Sequence, residues 1–292
     1  AIGWSLSLLQ RGKASMKRID EIMDEKPEII IKDSVVKQSI SCGEIEFRNT
    51  NYRYDNQEKW VLKGINLKID AGQRIAIVGP IASGKSRLIS MIHRIISAND
   101  SNLFIDGVDI NAIDVKLLRK YIGFVPQDTF LFSEKIRDNL LFGVETAYSN
   151  DYGQKLASMV SMEEEIQDLP QKFESYLGER GINLSGGQKQ RISIARAMAI
   201  NPNIIILDDC LSAVDARVED VIIKNILKNF PGRTLLVVTH RLPAVRDFDL
   251  IVVMKDGVIV EKGTHKQLMK LHGLYNSLYT KEALEEKLEE IN

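Results

Sequence analysis

The sequence predicts an α/β fold: a mostly parallel sheet covered on both faces, an antiparallel β subdomain and an inserted α-helical subdomain. Three observations lead there. Short apolar runs at 74–78, 204–207, 235–238 and 250–253 alternate with helix-like stretches, the pattern of buried parallel strands. Period-two alternation at 44–48 and 62–69 marks strands with one solvated face. Residues from about 128 to 190 contain no such run and read as helical.

Along the chain, Ile2, Leu6, Leu9, Met16, Ile19 and Ile22 recur at helical spacing, with Arg11, Lys13, Lys17 and Arg18 on other faces. Two readings of residues 1–25 stand: an ordinary surface helix, or the end of a transmembrane helix emerging into the cytoplasm. Lys26-Pro27-Glu28 breaks the stripe, and 26–42 reads as a linker. The chain opens on Ala1 rather than Met, and its first residues read as the tail of something longer. From Gly43 the folded domain begins. Ala71-Gly72 marks a turn, a helix is expected over Ser86–Ile96, and the charged stretch 281–292 reads as a helical tail.

Composition narrows the class. Lys plus Arg number 39 against 40 Asp plus Glu, a net charge of −1. Nucleic acid and acidic membrane surfaces need a basic excess, so neither is the expected main partner. Cys42 and Cys210 are too far apart in sequence to suggest a metal motif or a disulfide framework, which points to a reducing compartment. No run approaches the ~20 apolar residues of a membrane span.

Chemistry concentrates at Gly79-Pro80-Ile81-Ala82-Ser83-Gly84-Lys85-Ser86, which fits G-x-x-x-x-G-K-[ST] between a strand and a helix. The stretch resembles the phosphate loop of P-loop NTPases, which implies a RecA-like core. The small residues Gly79, Ala82, Ser83 and Gly84 let backbone N–H groups wrap around a phosphate at a helix N-terminus. Lys85 is placed to reach the β- and γ-phosphates, and the Ser86 hydroxyl to ligate Mg²⁺. Ile204–Leu207 leads into Asp208 at a strand end, which puts a carboxylate beside the same metal, acting on it through its water shell.

Leu184-Ser185-Gly186-Gly187-Gln188, about 20 residues before that acid, resembles the signature sequence of ABC ATPases. The resemblance extends over roughly Gly43 to Tyr279. It implies ATP and Mg²⁺ as substrate and cofactor, and a head-to-tail dimer in which each signature covers the ATP of the other subunit. Tyr54 is similar to the aromatic that stacks on adenine, with Tyr52 as its rival. Gln127, in Val125-Pro126-Gln127-Asp128, is similar to the glutamine that senses Mg²⁺ and the attacking water. Ser212-Ala213-Val214-Asp215 resembles the loop that crosses the dimer interface, so Asp215 joins the signature as a contact to the partner's ATP. His240 resembles the switch histidine at the γ-phosphate, whereas His93, His265 and His272 are expected to be structural or exposed. Phe130–Ser133, Ile136–Asn139 and the loop Gly178-Glu179-Arg180-Gly181 resemble exporter sequences, as does the N-terminal stripe. The resemblance therefore implies a transmembrane domain fused to this one and a place on the cytoplasmic side of the plasma membrane.

Three residues depart from the family pattern. Asp209 stands where most members have the Glu that polarises water, which leaves Asp209, Gln127 and His240 as the catalytic group with a shortened base. Ala82 replaces a common Gly but keeps its N–H, and Arg87 replaces the usual Ser or Thr; both are counted among the ATP-binding residues, with Arg87 either contacting phosphate or facing solvent. An intact signature beside a weakened base resembles one subunit of a heterodimeric exporter; a homodimer slow at both sites is the alternative. Soluble ABC ATPases of DNA repair or translation form another class. They usually carry a long coiled-coil insertion, or two ATPase domains with a basic surface, and neither is seen in this chain.

Overall fold

The structure is a computed structural model that describes residues 2–25, 29, 40–54, 58–98, 102–144, 150–178, 181 and 184–289. The chain divides into two units, Ala1–Ile30 and Ile31–Asn292. The first holds helix α1 (Ile2–Met23), which has no buried residue. Its apolar positions, including Trp4 at 73% and Leu9 at 72%, face outward. The expected linker lies outside the described residues up to position 39, apart from Ile29. Among the described residues no helix is long and apolar enough to cross a membrane.

The second unit is built on two sheets. Strands β1 (Ile45–Tyr52), β2 (Leu62–Ile69), β4 (Leu103–Ile105) and β5 (Val108–Asp109) form an antiparallel sheet in the order β2-β1-β4-β5. Strands β3 (Arg74–Val78), β6 (Ile122–Val125), β7 (Ile204–Asp208), β8 (Thr234–Val238), β9 (Leu250–Lys255) and β10 (Val258–Gly263) form the larger sheet, ordered β10-β9-β3-β8-β7-β6. All its pairings are parallel except β10 on β9. This is the α/β architecture that the sequence predicts.

Alternation along the central strands separates two cores. Ala76, Val78, Ile205, Leu207, Leu235 and Val237 face one side. They pack there with helices α5 (Asn150–Met159), α7 (Gly186–Ala199) and α8 (Ala216–Asn229). Ile75, Ile77, Ile204, Ile206, Leu236 and Val238 face the other, against helix α2 (Lys85–Ile92), helix α3 (Val115–Tyr121) and the antiparallel sheet. Burying one such Val, Leu or Ile side chain contributes about 1.5–3 kcal/mol, so a polar residue at any of those positions would be costly. At the start of the unit, the Asp106 carboxylate, in the β4–β5 turn, accepts the backbone N–H groups of Ser41, Cys42, Gly43 and Glu44 at 2.8–3.0 Å.

Some boundaries differ from those expected. Helix α2 stops at Ile92, not Ile96. Arg94 adopts a left-handed φ of 49°, and Ile95 N–H turns back to the Ser90 carbonyl at 2.9 Å, a helix stop usually made by glycine. The buried Arg94 guanidinium holds the turn by donating to the carbonyls of Ile113 and Ile110 at 3.0 and 3.4 Å. The helical region of about 128–190 consists of short pieces, α4 (Ile136–Leu140), α5 and α6 (Glu163–Gln167), joined by turns. Buried Asn139 explains one interruption, because its side chain accepts from Phe132 N–H and donates to the Phe132 carbonyl. After α9 (His265–Leu271), the expected C-terminal tail is, over its described residues 281–289, the end of α10 (Leu274–Glu289), which begins earlier than expected because Glu261 accepts its first N–H groups, from Leu274 and Tyr275; residues 290–292 lie outside the described residues.

His93 caps the end of α2 and stacks on Phe124 at 5.2 Å. Its Nδ1 is buried and finds no hydrogen-bond partner among the described residues. Burial, and secondarily the charge of Arg119, push its pKa down to about 4. A depressed histidine is neutral when folded but protonates near 6.5 when unfolded, so it removes stability as pH falls from about 6.5 toward 4. Between pH 7 and 4.5 this amounts to about 2–3 kcal/mol. Denaturant titrations of the wild type and His93→Phe at both pH values should show the variant losing that much less; equal losses would sink the assignment.

Candidate functional site

Strand β3 ends at Val78, and the chain turns through 79–84 into α2. Gly79 (φ 141°) passes so close to β9 that a Cβ would be driven into the Met254 carbonyl oxygen. Gly84 (φ 100°) sits at the start of α2, where a Cβ would lie 2.9 Å from Leu62 Cδ2 and 3.0 Å from the Val61 carbonyl. Ala82, at the position noted as usually Gly, is also left-handed (φ 62°), a conformation that costs a residue with a Cβ roughly 1–2 kcal/mol. The loop is thus shaped by backbone constraints at three points.

It opens on a cavity of about 580 Å³. Tyr54, Ala82, Ser83, Gly84, Lys85, Ser86, Arg87, Gln127, Asp208, Asp209 and His240, singled out from sequence, all line it. Gly79 stands behind the lining, its carbonyl accepting from Lys85 Nζ at 2.8 Å; Nζ also donates to the Pro80 carbonyl at 2.8 Å. Ser86 Oγ donates to Asp208 Oδ1 at 3.0 Å, and Gln127 Nε2 to Asp209 Oδ2 at 3.3 Å. Asp209 itself has φ 46° and its N–H donates to the Val238 carbonyl at 2.8 Å. Tyr52 does not line the cavity; its ring meets Tyr54 edge-on at 5.5 Å.

Burial sets the electrostatics. It lowers the Lys85 pKa against the opposing pull of Asp209 and Asp208. It raises Asp208, opposed by the Ser86 hydrogen bond, and raises Asp209, opposed chiefly by His240 and Lys85. His240 is lowered by burial and by Lys85, with Asp209 acting the other way. Every charged form here is desolvated, so a polyanion and a cation entering together would relieve both signs. Ser86, Asp208 and Gln127 offer hydroxyl, carboxylate and amide oxygens, a hard set that suits Mg²⁺ sharing its shell with phosphate and water. No cluster of three His, Cys, Asp or Glu groups able to hold a metal occurs among the described residues.

The signature residues lie elsewhere. None of Leu184, Ser185, Gly186, Gly187, Gln188 or Asp215 lines the cavity. Ser185 caps α7 through a reciprocal pair: its Oγ accepts Gln188 N–H at 3.2 Å, and Gln188 Oε1 accepts Ser185 N–H at 2.9 Å. Gly187 fits against the 212–215 loop so tightly that a Cβ would lie 2.8 Å from the Ala213 carbonyl. Asp215 caps α8 by accepting Arg217 N–H. Arg241, next to His240, ties that loop to the His240 loop: its Nη1 donates to the Val214 carbonyl at 2.7 Å and to buried Glu219 at 2.8 Å. In the exporter-like loop 178–181, Glu179 and Arg180 lie outside the described residues.

Sequence reading missed Lys59, Trp60, Val61, Val238, Asp256 and Gly257, which also line the cavity. Asp256-Gly257 is a hairpin signal, and it marks the turn joining the apolar run of β9 to β10. Gly257 N–H donates to the Ser83 carbonyl at 3.2 Å and its carbonyl accepts Lys63 N–H at 2.8 Å. That turn props the phosphate loop from outside.

Comparison with known proteins follows the same lines. The ABC transporter family profile matches residues 62–212. The chain is 43% identical over 263 residues to ATP-binding cassette sub-family B member 5 of Mus musculus, covering 89% of this chain and 21% of that protein. It is 39% identical over 273 residues to an ATP-dependent lipid A-core flippase of Desulfotalea psychrophila, covering 94% and 47%. A bacterial Atm1-family ABC exporter solved with ATP bound superposes with a TM-score of 0.88 at 31% identity, over 97% of this chain and 49% of that one. The chain therefore spans half or less of the length of each of these three proteins.

Proposed function

The chain belongs to the ABC transporter family, and from that premise we propose that it is the nucleotide-binding domain of an exporter subunit, residues 43–280, working in a head-to-tail pair. The observation that carries this reading is the division of labour in space. One cavity collects Tyr54, the 79–86 loop, Gln127, Asp208, Asp209 and His240, while the capped signature helix stands outside it.

In this reading ATP stacks its base on Tyr54 and lays its phosphates over the N-terminus of α2. Lys85 exchanges the Gly79 and Pro80 carbonyls for phosphate oxygens. Ser86, Asp208 and Gln127 would hold Mg²⁺, which when bound would neutralise charge on the phosphates. Asp209 and Gln127 orient the attacking water and His240 contacts the γ-phosphate. Ser185 and Gly187, with Asp215 nearby, close over the ATP of a second ABC subunit. Asp209 makes this chain's own site slow, so the partner is a different subunit that supplies a Glu, and hydrolysis there resets the pair. Residues 1–25 are the cytoplasmic end of a transmembrane helix, and closure of the pair moves the membrane helices that helix belongs to. The domain sits on the cytoplasmic side of the membrane.

Ser185→Asp tests the arrangement. Asp caps helices as well as Ser, so α7 should stand, but it sets a negative charge against the partner's phosphates. Expected in the assembled transporter are unchanged ATP affinity at this chain's own site and a roughly 10-fold or greater fall in hydrolysis. A parallel loss of own-site binding would mean that the signature serves its own site, contrary to the proposal.

A further inference from the structure

The reading above gives Arg87 no task. It is the third residue of α2, half-buried, and it lines the cavity. Its guanidinium carbon stands 5.2 Å from the centre of the Tyr54 ring. A base stacked on that same face needs its own layer of about 3.5 Å, and the guanidinium a second, about 7 Å in all. Base and guanidinium therefore cannot share the face as it stands. A base taking the ring would displace the guanidinium, which is tethered to the first turn of α2, toward the base's rim.

Stacking on an aromatic ring hardly distinguishes one base from another; the edge decides. A guanidinium only donates, through a rigid fork. Guanine presents two adjacent acceptors, O6 and N7, that match the fork, whereas adenine sets the donor N6 amino group beside N7. Lys59, like Lys85 a further cation of the lining, also only donates. Asp256, an acceptor in the same lining, can take an N–H from either purine and does not choose.

We propose that Arg87 is a base-selecting residue, and that with Tyr54 it makes this a site for guanine as well as adenine nucleotides, with GTP bound at least as tightly as ATP. The proposal rests on the nucleotide-site reading of the preceding subsection. It is tested by titrating the full 292-residue chain with Mg-ATP and Mg-GTP, in the wild type, Arg87→Ser and Arg87→Lys. The wild type should show a GTP Kd no larger than its ATP Kd. Arg87→Ser should weaken GTP relative to ATP by about 10-fold, the scale of one good bidentate base contact. Arg87→Lys keeps the charge without the fork and should recover only part of that ratio. A ratio within one sample is independent of the folded fraction, so a partly unfolded variant still reports. An ATP:GTP ratio identical in all three proteins, as contact with the α-phosphate would produce, overturns the proposal. So does a wild type that prefers ATP by more than 10-fold. Wild-type chain that binds neither nucleotide would bring down the nucleotide-site reading itself, a result distinct from binding with an unmoved ratio.

Discussion

An Asp209→Glu variant is expected to hydrolyse ATP about 10²-fold faster than the wild-type chain at saturating nucleotide. The Asp209 backbone is pinned, its N–H on the Val238 carbonyl at 2.8 Å and its carbonyl accepting from Ser212 Oγ at 3.1 Å. The carboxylate cannot advance by moving the chain, and it reaches Gln127 only at 3.3 Å. One more methylene carries the oxygens forward by about a C–C bond, the scale on which misplacement costs about 10²-fold and a general base earns or forfeits its share. Both proteins should bind ATP alike, because Lys85, Ser86 and Asp208 are untouched. The check is steady-state Mg-ATP hydrolysis of the two side by side. Equal and substantial rates would remove the slow-site reading, and with it the reason to look for a different partner subunit.

Gly79→Ala should cost at least 10²-fold in ATP affinity. That factor corresponds to about 2.7 kcal/mol. Left-handed backbone alone costs roughly 1–2 kcal/mol once a Cβ is present, and here the Cβ also meets the Met254 carbonyl of β9. Neither partner is a flexible side chain, so the loop must lift away from the sheet. Its carbonyls at 79 and 80 orient Lys85, and a lifted loop takes the lysine with it. Measured Kd beside the thermal midpoint separates the two effects: a folded variant that binds ATP within threefold of the wild type would show that the loop tolerates displacement.

How much of this was legible in the sequence depends on where the information is stored. Strands β3, β7, β8 and β9 are readable because both their faces are buried, which leaves unbroken apolar runs. Strand β6 escapes notice because it is four residues long and contains Gly123, required since a Cβ would lie 2.7 Å from the Ala197 carbonyl. The end of α2 is hidden because Ile95 and Ile96 prolong the apolar pattern, while the stop is made by Arg94 through carbonyls 16 and 19 residues downstream. At the site, the 79–86 loop is contiguous and announces itself. Lys59, Trp60, Asp256 and Gly257 reach the cavity only because β10 comes to lie beside β2, a tertiary fact with no local trace. Contact between Arg87 and Tyr54 is of the same kind.

The Asp106 carboxylate gives the domain a mechanical property. A tug along the chain arriving at Ser41 does not peel residues away one bond at a time, because four consecutive N–H groups converge on a single side chain 62–65 residues further along. Those bonds share the tension, and the yield point lies beyond what any one of them could bear. Force entering there spreads through the β4–β5 hairpin as well as into β1, so the antiparallel sheet takes it up as a plate rather than fraying from its first strand.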